Sequence, residues 1–187
     1  MKTNILIFAS VATLTIMGIA QVKTETPTAG TTPMKIGAYT FHYASPWNLK
    51  EPKRPMSQGG LHYGKSGEPG TVAADFYHFG GGQGGSTAAN VERWMNQFAK
   101  DGLRSSKTEK LMFAETEVTL VTIDGTYLSG PPMLPPEAKK KVPGQRLLGA
   151  IIPGEGGPVF IKMTGAKDAV TAAGKAFKKL VVSAFGE

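Results

Sequence analysis

Cysteine is absent from all 187 residues. That excludes a disulfide framework, thiolate metal ligation, cysteine nucleophiles and a lipidated amino-terminal cysteine. Histidine is scarce: His42, His62 and His78 show no metal-ligand spacing and read as isolated surface or half-buried side chains. No nucleophile elbow is present, since Ser86 lacks G-x-S-x-G flanks, and Glu115 and Glu117 read as the outward face of a strand rather than a placed carboxylate pair. Acidic residues are outnumbered 14 to 21, giving a net charge of +7. The densest basic run, Lys139-Lys140-Lys141, lies among prolines with no interleaved aromatics, which argues for a solvated run and against a nucleic-acid interface. No long apolar run follows residue 20.

What is present begins with Lys2 and an uncharged apolar run from Ile5 to Ala20, closing on Gly18-Ile19-Ala20. A short positive flank, an apolar stretch and small residues at its end are the marks of a cleaved secretory signal, residues 1–20. Residues 21–35, rich in Thr and Pro, read as a flexible leader, and 36–187 as a single domain. The mature chain of 167 residues carries +6 and is long enough to bury roughly 70% of its unfolded surface around one core.

Along that domain, Tyr39, Phe41 and Tyr43 alternate as a half-buried strand ended by Pro46-Trp47. Residues 50–70 read as loop, with one short strand around Met56 to Tyr63. Val72 to Phe79 is apolar on both faces, as a central strand is. Val91, Trp94, Met95 and Phe98 form a helical stripe capped by Ser86 or Thr87 and ended by Gly102. Strands at Lys110 to Ala114 and Glu117 to Ile123 follow, and Asp124-Gly125 predicts a type I′ hairpin turn. Prolines from Pro131 to Pro143 mark residues 129–146 as an irregular excursion with at most a helical turn at Glu137 to Lys141. Leu147 to Ile152 and Pro158 to Met163 form a hairpin around Gly154 to Gly157. A helix from about Lys167 to Phe185 closes the chain, with Val170, Ala173, Phe177, Leu180, Val181 and Ala184 opposing Lys175, Lys178 and Lys179. Without a repeated β-α-β unit, the order implies an α+β fold: a central antiparallel β-sheet flanked by two helices.

One stretch invites a site. Gly80 to Gly85 has five glycines in six residues and satisfies G-x-G-x-x-G between a strand and a helix. A glycine run produces that pattern by itself, and no second β-α-β unit supports a dinucleotide fold. The remaining readings are a tight backbone turn, or a small anion or carboxylate site made by Gly82, Gly84 and Gly85 with Asn90, Arg93 and Gln97, which share one helix face. Trp47 and Trp94 are assigned to the core.

The segment Phe76-Tyr77-His78-Phe79-Gly80 through Asn90-Val91-Glu92-Arg93-Trp94, with Gln97-Phe98 and the closing Phe160-Ile161-Lys162-Met163-Thr164-Gly165, resembles a family of uncharacterised exported bacterial proteins. That family is similar in fold to PsbP, the extrinsic subunit of photosystem II, and the resemblance covers roughly residues 36 to 185. It departs from the family in carrying Met56-Ser57 where a Met-Arg pair is expected. The resemblance implies a PsbP-like α/β/α sandwich and a non-catalytic secreted or periplasmic binding or assembly module. Its expected partner is an envelope or secreted protein, with a small anionic ligand as a second class. Neither a cofactor, a metal, nucleic acid nor stable membrane insertion after cleavage is expected. The alternative is a hydrolase or small-anion binder using the glycine loop and the helix after it.

Overall fold

Alternation along the strands decides which side chains share a face, and here it builds two cores. The computed structural model describes residues 30–51, 56–101 and 104–186; the expected signal, residues 1–20, lies outside them. Nine strands are described: β1 (Thr32–Ile36), β2 (Tyr39–Tyr43), β3 (Trp47–Leu49), β4 (Ser57–Tyr63), β5 (Val72–His78), β6 (Ser105–Phe113), β7 (Thr116–Ser129), β8 (Lys140–Ile152) and β9 (Val159–Ala166). Two α-helices, α1 (Thr87–Met95) and α2 (Lys167–Val182), complete an α+β fold.

Strands β3 to β9 form one antiparallel sheet in the order β3-β4-β5-β9-β8-β7-β6, and β1 and β2 form a separate hairpin. The sheet is therefore two local meanders, β3 to β5 and β6 to β9, joined where β5 meets β9. Val118, Leu120, Ala150, Ile152, Val159, Ile161 and Met163 project from one face into a core completed by Val170, Ala173, Phe177, Leu180 and Val181 of α2. Ile36 and Phe41 of the hairpin join that core, and the His42 N–H donates to Ser183 Oγ at 2.9 Å. The alternate residues Val121, Ile123, Leu147, Ile151 and Phe160 pack instead with Trp94 of α1 and with Phe98.

Several expectations give way. Thr32 to Lys35, assigned to the flexible leader, pair with Thr40 to Tyr43 in the hairpin. Trp47 is buried as expected but opens β3 rather than simply ending β2. Helix α1 stops at Met95, not near Gly102, because Phe98 leaves helical geometry to bridge Tyr127. Phe98 is buried in the cluster its spacing suggested, by a different backbone route.

Asp124-Gly125 makes no hairpin. Strand β7 runs straight through it, with a register shift between Gly125 and Tyr127. The tight turn is at Ala114-Glu115, both at positive φ (43° and 68°), between the paired residues Phe113 and Thr116. Glu115 thus occupies a turn, and only Glu117 lies on a strand. Nor is 129–146 irregular throughout. A single 3-10 turn at Pro136–Ala138 leads into β8, which starts at Lys140 and accommodates Pro143. Residues 140 to 142 pair with β7 alone among the described residues, and Pro143 falls at the register shift before Gln145, so its missing donor breaks no ladder bond.

Candidate functional site

Of the six residues singled out from sequence, four come together, while Gly82 and Gln97 stand apart. Ser86 caps α1, its hydroxyl accepting from the Ala89 N–H at 3.2 Å. One turn on, Asn90 is buried at 2% exposure, and its Nδ2 donates to the carbonyls of Gly84 (2.7 Å) and Ser86 (2.9 Å). Its Oδ1 accepts from Arg93 Nη1 at 2.9 Å. Gly84, Gly85, Asn90 and Arg93 are therefore together, with Asn90 fixing the glycine loop and the exposed Arg93 bracing Asn90.

The glycines have packing reasons. A Cβ on Gly84 would stand 3.0 Å from the Phe160 ring and 3.1 Å from that of Phe79. The loop also abuts the β8–β9 turn, where a Cβ on Gly157 would lie 2.2 Å from the Gly80 carbonyl oxygen. Only glycine permits two backbones to approach so closely. Gly82 is exposed, and nothing lies within 4 Å of a Cβ placed on it.

Gln97 belongs elsewhere. Past the end of α1, its backbone carbonyl accepts from Leu128 N–H at 2.8 Å, and its Oε1 accepts from Lys162 Nζ and from Tyr127 Oη (3.4 Å). Back toward the helix, its Nε2 donates to the Arg93 carbonyl at 3.3 Å and its backbone N–H to the Trp94 carbonyl at 3.1 Å. The i, i+3, i+7 face is interrupted because the helix ends first.

Lys162 anchors a buried polar row that sequence reasoning missed. Register aligns Gly60, Asp75, Lys162, Gly149 and Val121 across five strands. Asp75 is ion-paired with Lys50, whose stem lies over Gly60. Lys162 Nζ stands 5.5 Å from the Tyr127 ring centroid, and the Trp94 indole covers Gly149. The Lys162–Gln97 bond, with the backbone bonds Leu128 N–H to Gln97 and Ala99 N–H to Thr126, holds the 97–99 segment on the sheet.

On the opposite face, α2 and strands β6 to β8 bound an open groove of about 490 Å³. Its charged lining is Lys107, Arg146, Lys175 and Lys178 against Glu109 and Asp124, a balance of +2. Both carboxylates are committed. Asp124 takes a two-pronged bond from Arg146 (Nε to Oδ1 2.6 Å, Nη2 to Oδ2 2.7 Å) and a third contact from Lys167 at 3.0 Å. The Arg146 bond, before all else, holds the Asp124 carboxyl below its usual range and lifts the guanidinium. Glu109 pairs with Lys107 at 2.9 Å, which lowers its carboxyl. Lys175 and Lys178 make no salt bridge with the described residues, so the uncompensated charge lies on them. Ser105 and Thr122, on the same face as Lys107 and Asp124, line the same groove.

The sequence signal for this groove was half visible. Lys175 and Lys178 oppose the apolar stripe of α2, but Lys107 and Glu109 lie in a part of β6 that was not read as strand, and Asp124 was assigned to a turn. The histidines do not gather: His42 is on the β1–β2 hairpin, while His62 and His78 are on β4 and β5 of the large sheet. Among the described residues no group of three or more His, Asp or Glu is placed to hold a metal ion. None of their helices is long and apolar enough to cross a membrane.

No protein-family model matches the chain, and no curated protein matches it in sequence. Among solved structures it is similar to cyanobacterial PsbP (CyanoP) from Synechocystis sp. PCC 6803, at 12% identity and TM-score 0.51, over 90% of this chain and 96% of that one. It also matches LpqN of Mycobacterium tuberculosis, a protein involved in cell envelope biogenesis, at 12% identity and TM-score 0.46, over 80% and 86% of the two chains. A third match is PA94 of Pseudomonas aeruginosa, a protein of unknown function, at 9% identity and TM-score 0.38, over 82% and 94%. The chain has a PsbP-like fold.

Proposed function

We propose that this protein is an exported, non-catalytic binding or assembly module of the cell envelope, built as an α/β/α sandwich, which engages an acidic protein partner through the groove beside α2. The observation that carries the reading is the groove's charge: its two carboxylates are held by Lys107, Arg146 and Lys167, leaving Lys175 and Lys178 outside any salt bridge among the described residues, over an open surface. Two ammonium groups one helical turn apart attract carboxylates over several ångströms and steer encounter more than they tighten it. The glycine loop supports the reading by contrast, because Asn90 spends its donors on the loop's own carbonyls. Export rests on Lys2, the apolar run to Ala20 and the small residues that end it.

The test is cross-linking in cells from a photoreactive residue at Gly174, in the wild-type chain and in Lys175→Glu/Lys178→Glu. A partner adduct that is salt-sensitive and lost in the variant, at unchanged thermal stability, supports the proposal. An identical adduct in the variant refutes it. Intact-mass measurement of the secreted chain is expected to place Gln21 first, and a full-length chain held in the membrane would count against export.

A further inference from the structure

We infer that β6 is a docking edge: an extended acidic segment of the partner pairs with it as an additional strand, with acidic side chains directed to Lys107, Lys175 and Lys178. The inference rests on the groove reading above and names the partner's local chemistry.

Strand β6 is nine residues long, ends the sheet and, among the described residues, pairs only with β7, whereas the other edge, β3, has three residues. The two-residue turn at Ala114-Glu115 makes Phe113 and Thr116 the closing pair that exchanges both hydrogen bonds. Antiparallel alternation then turns the N–H and C=O groups of Ser106, Thr108, Lys110 and Met112 away from β7. Unmet among the described residues, these groups form a template for strand addition.

The side chains beside that template favour one occupant. Toward the groove stand Lys107 and Glu109, overhung by Lys175 and Lys178 of α2; on the other side of the strand stand Lys110 and Met112, the latter 62% exposed. The ion pairs Lys107–Glu109 and Lys110–Glu117 are exposed and contribute little, so incoming carboxylates displace them readily. A second copy fits poorly. Edge-to-edge antiparallel pairing keeps the same face of both sheets upward, which would bring the two sets of Lys175 and Lys178 together at the seam. An acidic strand meets no such repulsion.

The experiment uses the full chain and fluorescein-labelled peptides of about ten residues, the length of a typical strand, alternating Glu with Val or Thr. Controls replace Glu by Lys, or place Pro at the centre. Anisotropy at low salt is expected to show binding of the acidic peptide alone, weakened about tenfold or more by Thr108→Pro and by Lys175→Glu/Lys178→Glu. Thr108→Pro deletes an outward donor and spares the β7 ladder, so its unfolding midpoint should stay near wild type. Amide exchange of the wild-type chain gives an independent reading: peptide should slow Ser106, Thr108, Lys110 and Met112 selectively. A folded Thr108→Pro chain that binds as tightly as wild type, or protection elsewhere than β6, overturns strand addition. Dimerisation through β6 in size-exclusion chromatography would also overturn it. If no peptide binds while cross-linking at the groove persists, the docking-edge inference fails and the groove reading survives.

Discussion

The approach of Trp94 to Gly149 gives the sharpest energetic test of how α1 is seated. Trp94 is 5% exposed, and its ring lies over Gly149 so closely that an ideal Cβ there would stand 2.2 Å from Cζ3 and 2.7 Å from Cε3. Trp94→Ala removes a buried indole and should cost roughly 3–5 kcal/mol. Gly149→Ala inserts a methyl into a rigid ring and should cost about 1–3 kcal/mol or somewhat more, since neither the strand nor the indole has a flexible end to yield. The two effects are not independent. With the ring gone, the added methyl enters the space it left, and alanine is favoured over glycine in a strand by about 0.5–1 kcal/mol. The double variant should therefore be no less stable than Trp94→Ala alone, a coupling at least as large as the cost of Gly149→Ala itself, about 1–3 kcal/mol or more. Urea unfolding followed by far-ultraviolet circular dichroism reads this without relying on the deleted fluorophore. Additive costs, or a Trp94→Ala midpoint equal to wild type, would show that the indole does not rest on Gly149.

Asn90→Ala should lower stability by about 1–3 kcal/mol by leaving loop carbonyls unmet, while Arg93→Gln, at an exposed position, should change it by less than about 1 kcal/mol; a larger loss for Arg93 would make the guanidinium the loop's anchor. Asp124→Asn should cost about 1.5–3 kcal/mol at neutral pH. Because the folded Asp124 carboxyl is lowered, its contribution is complete above the unfolded value of about 4 and fades as pH falls through the folded one. The gap between Asp124→Asn and wild type should thus close on acidification below about pH 4, and a gap constant with pH would contradict the pairing. Replacing Ala114-Glu115 by Asn-Gly should stabilise the chain by about 1 kcal/mol, since both residues sit at positive φ. Calorimetry should show a melting point raised by about 2–4 °C, and a fall would imply contacts of Glu115 that outweigh its strain.

Strand β2, strand β5, the Gly154 to Gly157 hairpin and α2 were legible because each has one apolar periodicity and local punctuation. Asp124-Gly125 misled for a physical reason: Asp124 lies directly opposite Arg146, and its carboxylate serves a cross-strand ion pair rather than a turn. The true turn carries alanine and glutamate, neither of which advertises a left-handed backbone. Periodicity placed Phe98 correctly in the core but could not tell a helix from a bridging segment. Of the candidate site, the residues adjacent in sequence (Gly84, Gly85, Asn90, Arg93) were found together. The groove was not visible, because Lys107, Arg146 and Lys175 meet only once strand register and the docking of α2 are known.

The seam between β5 and β9 sets a timetable for the nascent chain. His78 pairs with Val159, more than eighty residues further on, so β5 leaves the ribosome with one side unpartnered. At about 5–20 residues per second, several seconds pass before β9 is made. In that interval β3 to β5 can close only on themselves, with Phe76 and Val72 lacking the α2 side chains that later bury them. The later meander, β6 to β9, has every pairing local and can close as soon as it is complete. Both halves have local pairings of their own; what waits for β9 is the seam between them, and until it forms the exposed edge of β5 must stay soluble.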